Sequence, residues 1–118
     1  MTADQIQALI HTLVLEGLLA LWLTRRWPQA ARPAWSQVLM VTLAASMITH
    51  PVLYALVRWR PEMWSWYTRL AVWESVVVFV EAMIYMGGLR CGLRRGLLLS
   101  LACNCLSLFL PMVVRALW

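Results

Sequence analysis

The sequence predicts an all-α integral membrane protein, built as a bundle of four transmembrane helices. Apolar residues make up 63% of the 118 positions and charged residues only 13%, too few charges for the surface of a soluble domain of this size. The apolar residues also fall into blocks, each about as long as the roughly 20 residues that a helix needs to cross a bilayer. Short polar segments separate the blocks, so a single transmembrane domain is expected over residues 1–118.

The limits of the four blocks follow from the positions of prolines, glycines and arginines. Residues 25–35 contain two prolines and three arginines, which end a lipid-exposed helix. Residues 58–67 are polar and aromatic around Pro61, and residues 87–95 combine glycines with three arginines. Each segment is predicted to be a turn between antiparallel spans. The expected spans cover residues 6–27, 35–57, 69–89 and 96–116.

The ten basic residues are all arginines and indicate the orientation of the chain. Six lie in the first and third loops, namely Arg25, Arg26, Arg32, Arg90, Arg94 and Arg95, and four lie toward the opposite side, namely Arg58, Arg60, Arg69 and Arg115. Because cytoplasmic loops carry an excess of basic residues, we expect both termini outside a plasma (inner) membrane of the prokaryotic type. The net charge of +5 is then explained by topology and lipid headgroups, and no nucleic-acid partner is expected.

Polar side chains inside the predicted spans carry the functional signal, because ionised groups are costly in the bilayer interior. Counting about 1.5 Å per residue from the outer ends places these side chains at overlapping depths. The candidates for an ion or proton relay are Glu16, His50, Glu74, Glu81 and Asn104. The candidates for a polar lining are His11, Thr12, Thr42, Ser46, Thr49, Ser100 and Ser107.

The three glutamates of the spans are the strongest of these candidates. A hydroxyl can bond to a carbonyl of its own helix, whereas a glutamate that faces lipid is expensive. We therefore expect Glu16, Glu74 and Glu81 to face the bundle interior or a neighbouring subunit. There they would be protonated, or paired with a histidine or with Asn104.

An internal repeat is a further possibility. The spacing from Glu16 to Arg25 equals that from Glu81 to Arg90, and residues 46–50 (SMITH) resemble residues 100–104 (SLACN). The pattern fits two parallel helical-hairpin repeats, related by a pseudo-twofold axis along the membrane normal. Chance similarity between apolar helices explains it equally well.

Three classes of function remain open. The first is a proton- or cation-linked transporter or channel, which would be a homo-oligomer because four spans enclose little space. The second is a structural or assembly subunit of a larger membrane complex, in which the polar groups hold helices together. The third is a haem- or metal-binding membrane protein, for which the weak ligand candidates are His11, His50, Glu16 and Glu74.

Little in the sequence points to an enzyme or to a bound cofactor. Neither an HExxH motif nor a phosphate-binding loop occurs, and Ser107 with His50 is the only pairing of a nucleophile with a base in the spans. No catalytic residue is assigned, and no cofactor is expected. The expected partners are the lipid bilayer and other copies or membrane subunits.

Overall fold

Four α-helices make up nearly the whole chain. The structure, a computed structural model, describes residues 2–59 and 63–117, without the side chains of residues 54, 57 and 110–115. Within these residues the helices are α1 (Ala3–Thr24), α2 (Trp35–Arg58), α3 (Trp66–Leu89) and α4 (Leu93–Leu117), and no strand is formed. The predicted all-α fold class is confirmed. Arg60 and Pro61, in the second predicted turn, lie outside the described residues.

Three of the helices are long and apolar enough to cross a membrane. These stretches are Ala3–Thr24, Trp35–Leu53 and Trp66–Leu89, and most of their residues are not buried within the protein. Length and composition therefore indicate a membrane protein, with apolar surface facing outward. Helix α4 has 25 residues, but the side chains of residues 110–115 are not described. That α4 crosses the membrane therefore stays a prediction.

Local capping sets the helix ends a few residues away from the predicted limits. Thr2 and Gln5 form a capping box that starts α1 at Ala3. The Ser65 hydroxyl accepts a hydrogen bond from the backbone N–H of Thr68, so α3 begins three residues before the predicted limit at residue 69. At its other end α3 stops at Arg90, whose φ of 52° is left-handed.

The helices pack as a ring. Each one contacts the helices that adjoin it in sequence, and α4 closes the ring against α1. Among the described residues, the diagonal pairs α1/α3 and α2/α4 make no close backbone approach. The start of α1, the end of α2, the start of α3 and the end of α4 therefore share one end of the bundle, here called the termini end. The α1–α2 and α3–α4 connections form the opposite end, the loop end.

An apolar core fills the half of the bundle nearer the loop end. Its buried members are Ala20, Val38, Tyr85, Leu89, Leu99 and Cys103. Close approach of α3 to α4 depends on Gly96, because an added Cβ would lie 2.8 Å from the carbonyl oxygen of Ala82. This core lies between the loop end and the buried polar groups near the middle of the bundle.

Candidate functional site

Polar residues from all four helices are buried near the middle of the bundle. Such groups need partners, since an unpaired polar atom in a low-dielectric interior is costly. Those buried near this level are Glu16, Thr42, Ser46, Thr49, His50, Glu81, Ser100 and Asn104.

The Glu16 carboxylate joins α1 to both of its neighbours. Its side chain is completely buried. The Ser46 hydroxyl on α2 donates to Oε2, and the Ser107 hydroxyl on α4 donates to Oε1 over 3.1 Å. The Nε2 atom of His50 lies 3.4 Å from the same Oε1. Glu16 is therefore held by hydroxyl donors with an imidazole beside it.

The Glu81 carboxylate is held in a similar way on the diagonally opposite helix. It too is completely buried. It accepts a hydrogen bond of 2.5 Å from the Thr49 hydroxyl on α2 and one of 2.6 Å from Nδ2 of Asn104 on α4. Helices α2 and α4 thus supply the donors for both carboxylates.

The two carboxylates and His50 meet inside the bundle. Glu16, His50 and Glu81 each offer one atom able to bind a metal ion, and these atoms all lie within 4.8 Å of one another. Two negative charges this close would repel strongly away from water, so the pair needs a proton on one of them or a positive charge nearby. We call these three side chains the carboxylate–histidine centre. Chemically it can hold a proton, pass one on or bind a cation.

Helix α2 continues past this centre but lacks one backbone hydrogen bond there. Pro51 directly follows His50 within the helix and has no N–H to donate to the carbonyl of Met47. That carbonyl is therefore left without its usual partner within the helix, one turn from His50.

A cavity reaches the centre from the termini end. Its volume is about 440 Å³, and it extends to His50 and Ser107. Its polar wall residues are Gln5, Thr12, Arg58, Arg69 and Glu74.

The way toward the loop end is closed by packing. Tyr85 and Thr42 are completely buried below the centre, with the tyrosine hydroxyl 3.5 Å from Oγ1 of Thr42. Leu99, 1% exposed, packs in the same core. Among the described residues, the cavity therefore meets the centre at His50 from the termini end, while packing closes the centre toward the loop end.

The remaining sequence candidates lie outside the centre. Glu74 and Thr12 line the cavity wall, and the Ser100 hydroxyl donates to the carbonyl of Val78 over 2.7 Å. His11 is exposed on the outside of α1. It precedes Glu16 by five residues, which turns it about 140° away around the helix. Of the predicted metal-ligand candidates, His50 and Glu16 come together, whereas His11 and Glu74 do not join them.

Three buried residues near the centre or its cavity were not singled out from the sequence as functional candidates. Tyr85 follows Glu81 by four residues and so shares its helix face, a signal that could have found it. The Cys103 thiol donates to the backbone carbonyl of Glu16 over 3.6 Å. Arg69, used only as a marker of orientation, is 9% exposed, and its guanidinium lies 5.5 Å from the centre of the Trp66 ring.

Fold and centre together define a class: an all-α bundle with three helices able to cross a membrane and a buried carboxylate–histidine centre. No protein-family model matches the chain, and neither curated proteins nor solved structures yielded a match. Function therefore has to be inferred from the geometry of the centre.

Proposed function

We propose that the protein is a small polytopic transporter or channel that moves protons, or a cation coupled to them, through the carboxylate–histidine centre. The observation that carries this proposal is the convergence of Glu16, His50 and Glu81 within 4.8 Å at the inner end of a one-sided cavity. Ionisable groups buried in membrane bundles are the usual markers of ion and proton pathways.

The proposed route begins at the termini end. Glu74 and Thr12 line the cavity, His50 and Ser107 stand at its inner end, and the two buried carboxylates follow. Because Arg58 and Arg69 line the cavity and Glu74 is its only acidic wall residue among the described residues, the wall itself does not favour a cation, and preference for a cation has to come from the centre. Release toward the loop end requires the packed layer around Tyr85 to move, as in alternating access.

The proposed arrangement in the membrane has all four helices crossing and both termini outside, in a plasma membrane of prokaryotic type. We further propose a homo-oligomer. A groove of about 430 Å³ between α3 and α4 is lined by Glu74, Ser75 and Asn104 together with apolar residues and Cys105. A second copy covering this groove would keep Glu74 out of contact with lipid.

Two parallel hairpin repeats are part of the proposal, and their contacts support it. Glu16 and Glu81 correspond under the sequence repeat, as do His50 and Asn104. In the structure Glu16 lies against His50, and Glu81 accepts a hydrogen bond from Asn104. This pair of contacts agrees with a pseudo-twofold axis, whereas Ser46 donates to Glu16 and its counterpart Ser100 donates to the carbonyl of Val78.

A structural subunit is the second candidate, and one observation favours it. Both carboxylates accept hydrogen bonds from neighbouring helices, which is what an interhelical pin does. The two functions differ in what they require of the side chain. A pin needs a polar partner, whereas a relay needs a group that changes its charge.

Proteoliposome flux measurements on glutamine and leucine variants separate the two functions. For the relay, Glu16→Gln or Glu81→Gln should fold and insert normally but lose proton or cation flux under a pH or salt gradient, by at least about tenfold. For a pin, glutamine should suffice and leucine should destabilise the fold. A wild-type protein that passes no ion, with glutamine variants of unchanged stability, would remove transport and leave the subunit function.

A further inference from the structure

We infer that the carboxylate–histidine centre binds one divalent transition-metal ion, of the kind represented by Zn²⁺ and Mn²⁺. The inference deepens the proposed function by naming the cation, and it rests on that function for the ion's movement. Binding itself depends only on the side chains of the centre. It differs from the ligand set expected from the sequence, because Glu81 takes the place of His11 and Glu74.

Charge is the first reason for a divalent ion. Glu16 and Glu81 together carry two negative charges when ionised, and neutral His50 adds none. A divalent cation makes the buried group neutral, whereas a monovalent ion leaves one negative charge uncompensated in the low-dielectric interior.

Geometry is the second reason. Bonds from tetrahedral zinc to oxygen and nitrogen are about 2.0–2.2 Å, which places two of its ligand atoms roughly 3.3–3.6 Å apart. The three ligand atoms here lie within 4.8 Å of one another. The site therefore has to contract by up to about 1.5 Å when an ion binds, and the soft terminal torsions of the glutamates allow their oxygens to move toward it.

Asn104 gives an independent indication of a ligand. The residue is 4% exposed, and its Nδ2 already donates to Glu81. Its Oδ1 is buried without a hydrogen-bond partner among the described residues. A buried amide oxygen normally has a partner. Nδ2 is the amide atom that faces Glu81, so Oδ1 reaches an ion at the centre only if the amide group turns over, and amide oxygens are ligands for divalent cations.

The donor set also selects among metals. Imidazole suits zinc, iron and copper, while carboxylates suit magnesium, calcium and manganese. Two carboxylates with one imidazole favour Zn²⁺ or Mn²⁺ over the oxygen-seeking Mg²⁺ and Ca²⁺. The nearby Cys103 thiol is directed at a backbone carbonyl, so soft thiolate ligation is not part of the site.

Metal titration of the purified protein tests the inference. Wild-type protein in detergent, freed of any polyhistidine tag and treated with chelator, is titrated with ZnCl₂ and with MnCl₂ by calorimetry. Bound metal is counted by mass spectrometry after gel filtration. We expect one ion per chain, which Mg²⁺ at the same concentration does not displace. Cys91→Ser and Cys105→Ser, at two sites outside the centre, should leave this binding unchanged.

Single substitutions locate the site. Glu16→Gln, Glu81→Gln and His50→Gln should each weaken binding at least about tenfold. His11→Gln is the matched control, because it removes the other histidine of the chain from an exposed position, and it should bind as the wild type does. Gel-filtration profile and helical circular dichroism report whether each variant is folded.

Each outcome bears on one of the two proposals. The metal site is refuted if the wild-type protein binds neither Zn²⁺ nor Mn²⁺, a result that involves no variant. It is also refuted if Glu16→Gln, Glu81→Gln and His50→Gln all bind metal as tightly as the wild type. Protein that binds no metal but moves protons refutes the metal site and keeps the proposed function. Protein that binds one metal ion but moves no ion keeps the site and refutes transport.

Discussion

The environment of Glu16 and Glu81 is set by the hydrogen-bond donors that surround each carboxylate. The sequence predicts that both avoid lipid, because an ionised group facing hydrocarbon is costly, and the structure buries both completely. A histidine and Asn104 were predicted as partners, but the sequence did not show which glutamate each one contacts. The depth of a residue along its helix does not show which face of the helix packs against a neighbour. His11 and His50 were therefore equally good candidates by depth, and only the packing of α1 and α2 distinguishes them.

Removing one donor from a buried carboxylate should destabilise the fold. Ser46→Ala takes away a hydroxyl that bonds to Glu16, and we expect the free energy of unfolding to fall by about 1–2 kcal/mol. Ser75→Ala is the matched control, because that exposed hydroxyl donates only within its own helix, to the carbonyl of Ala71. Thermal unfolding in detergent measures both, and equal melting temperatures for the two variants would contradict the role of Ser46.

Helices are the level at which the sequence is most informative. Apolar blocks of bilayer length predict four helices, and the described residues form four α-helices, because block length and loop chemistry are local properties. Their ends differ by a few residues, since caps such as Thr2 and Ser65 extend α1 and α3 beyond the apolar blocks. Packing between helices is harder to predict from the sequence, because it depends on how closely the backbones of two helices can approach each other.

The approach of α3 to α4 gives a stability prediction. Gly96→Ala places a methyl group 2.8 Å from the backbone oxygen of Ala82, which cannot swing aside as a side chain would. We expect a loss of about 1–3 kcal/mol in the free energy of unfolding. Gly87→Ala has nothing within 4 Å of the added atom and should be neutral or stabilising by up to about 1 kcal/mol. Chemical denaturation in mixed micelles compares them, and a neutral Gly96→Ala would refute the close packing.

The bundle as a whole has two unlike ends, and this asymmetry could not be predicted from the sequence. Arginine counts suggest an orientation, but the cavity at the termini end and the packed core toward the loop end arise from tertiary contacts. Because of this cavity and this packed core, the polar residues at similar depth can be reached from the termini end and not from the loop end.

Sided labelling tests the proposed orientation. Two variants are compared in a Cys103→Ala, Cys105→Ala background: one keeps Cys91, at the loop end, and the other carries Cys91→Ala with Met63→Cys, at the termini end. Burial raises the pKa of the Cys91 thiol, so less of it is the reactive thiolate at neutral pH and its labelling should speed up as the pH rises. An impermeant maleimide should label Met63→Cys in intact cells, and Cys91 only after permeabilisation. Labelling of both positions from the same side would contradict a crossing by α3.

Paired flux measurements on the wild type and the Glu16→Gln, Glu81→Gln double variant bear directly on the role of the carboxylate–histidine centre. Both proteins are reconstituted at equal density in liposomes that carry one pH-sensitive and one zinc-sensitive dye. The wild type should move protons or Zn²⁺ down an imposed gradient. The double variant, with unchanged helicity and gel-filtration profile, should fall to the rate of empty liposomes. Equal flux through both proteins, or none through the wild type, would contradict a pathway through Glu16, His50 and Glu81.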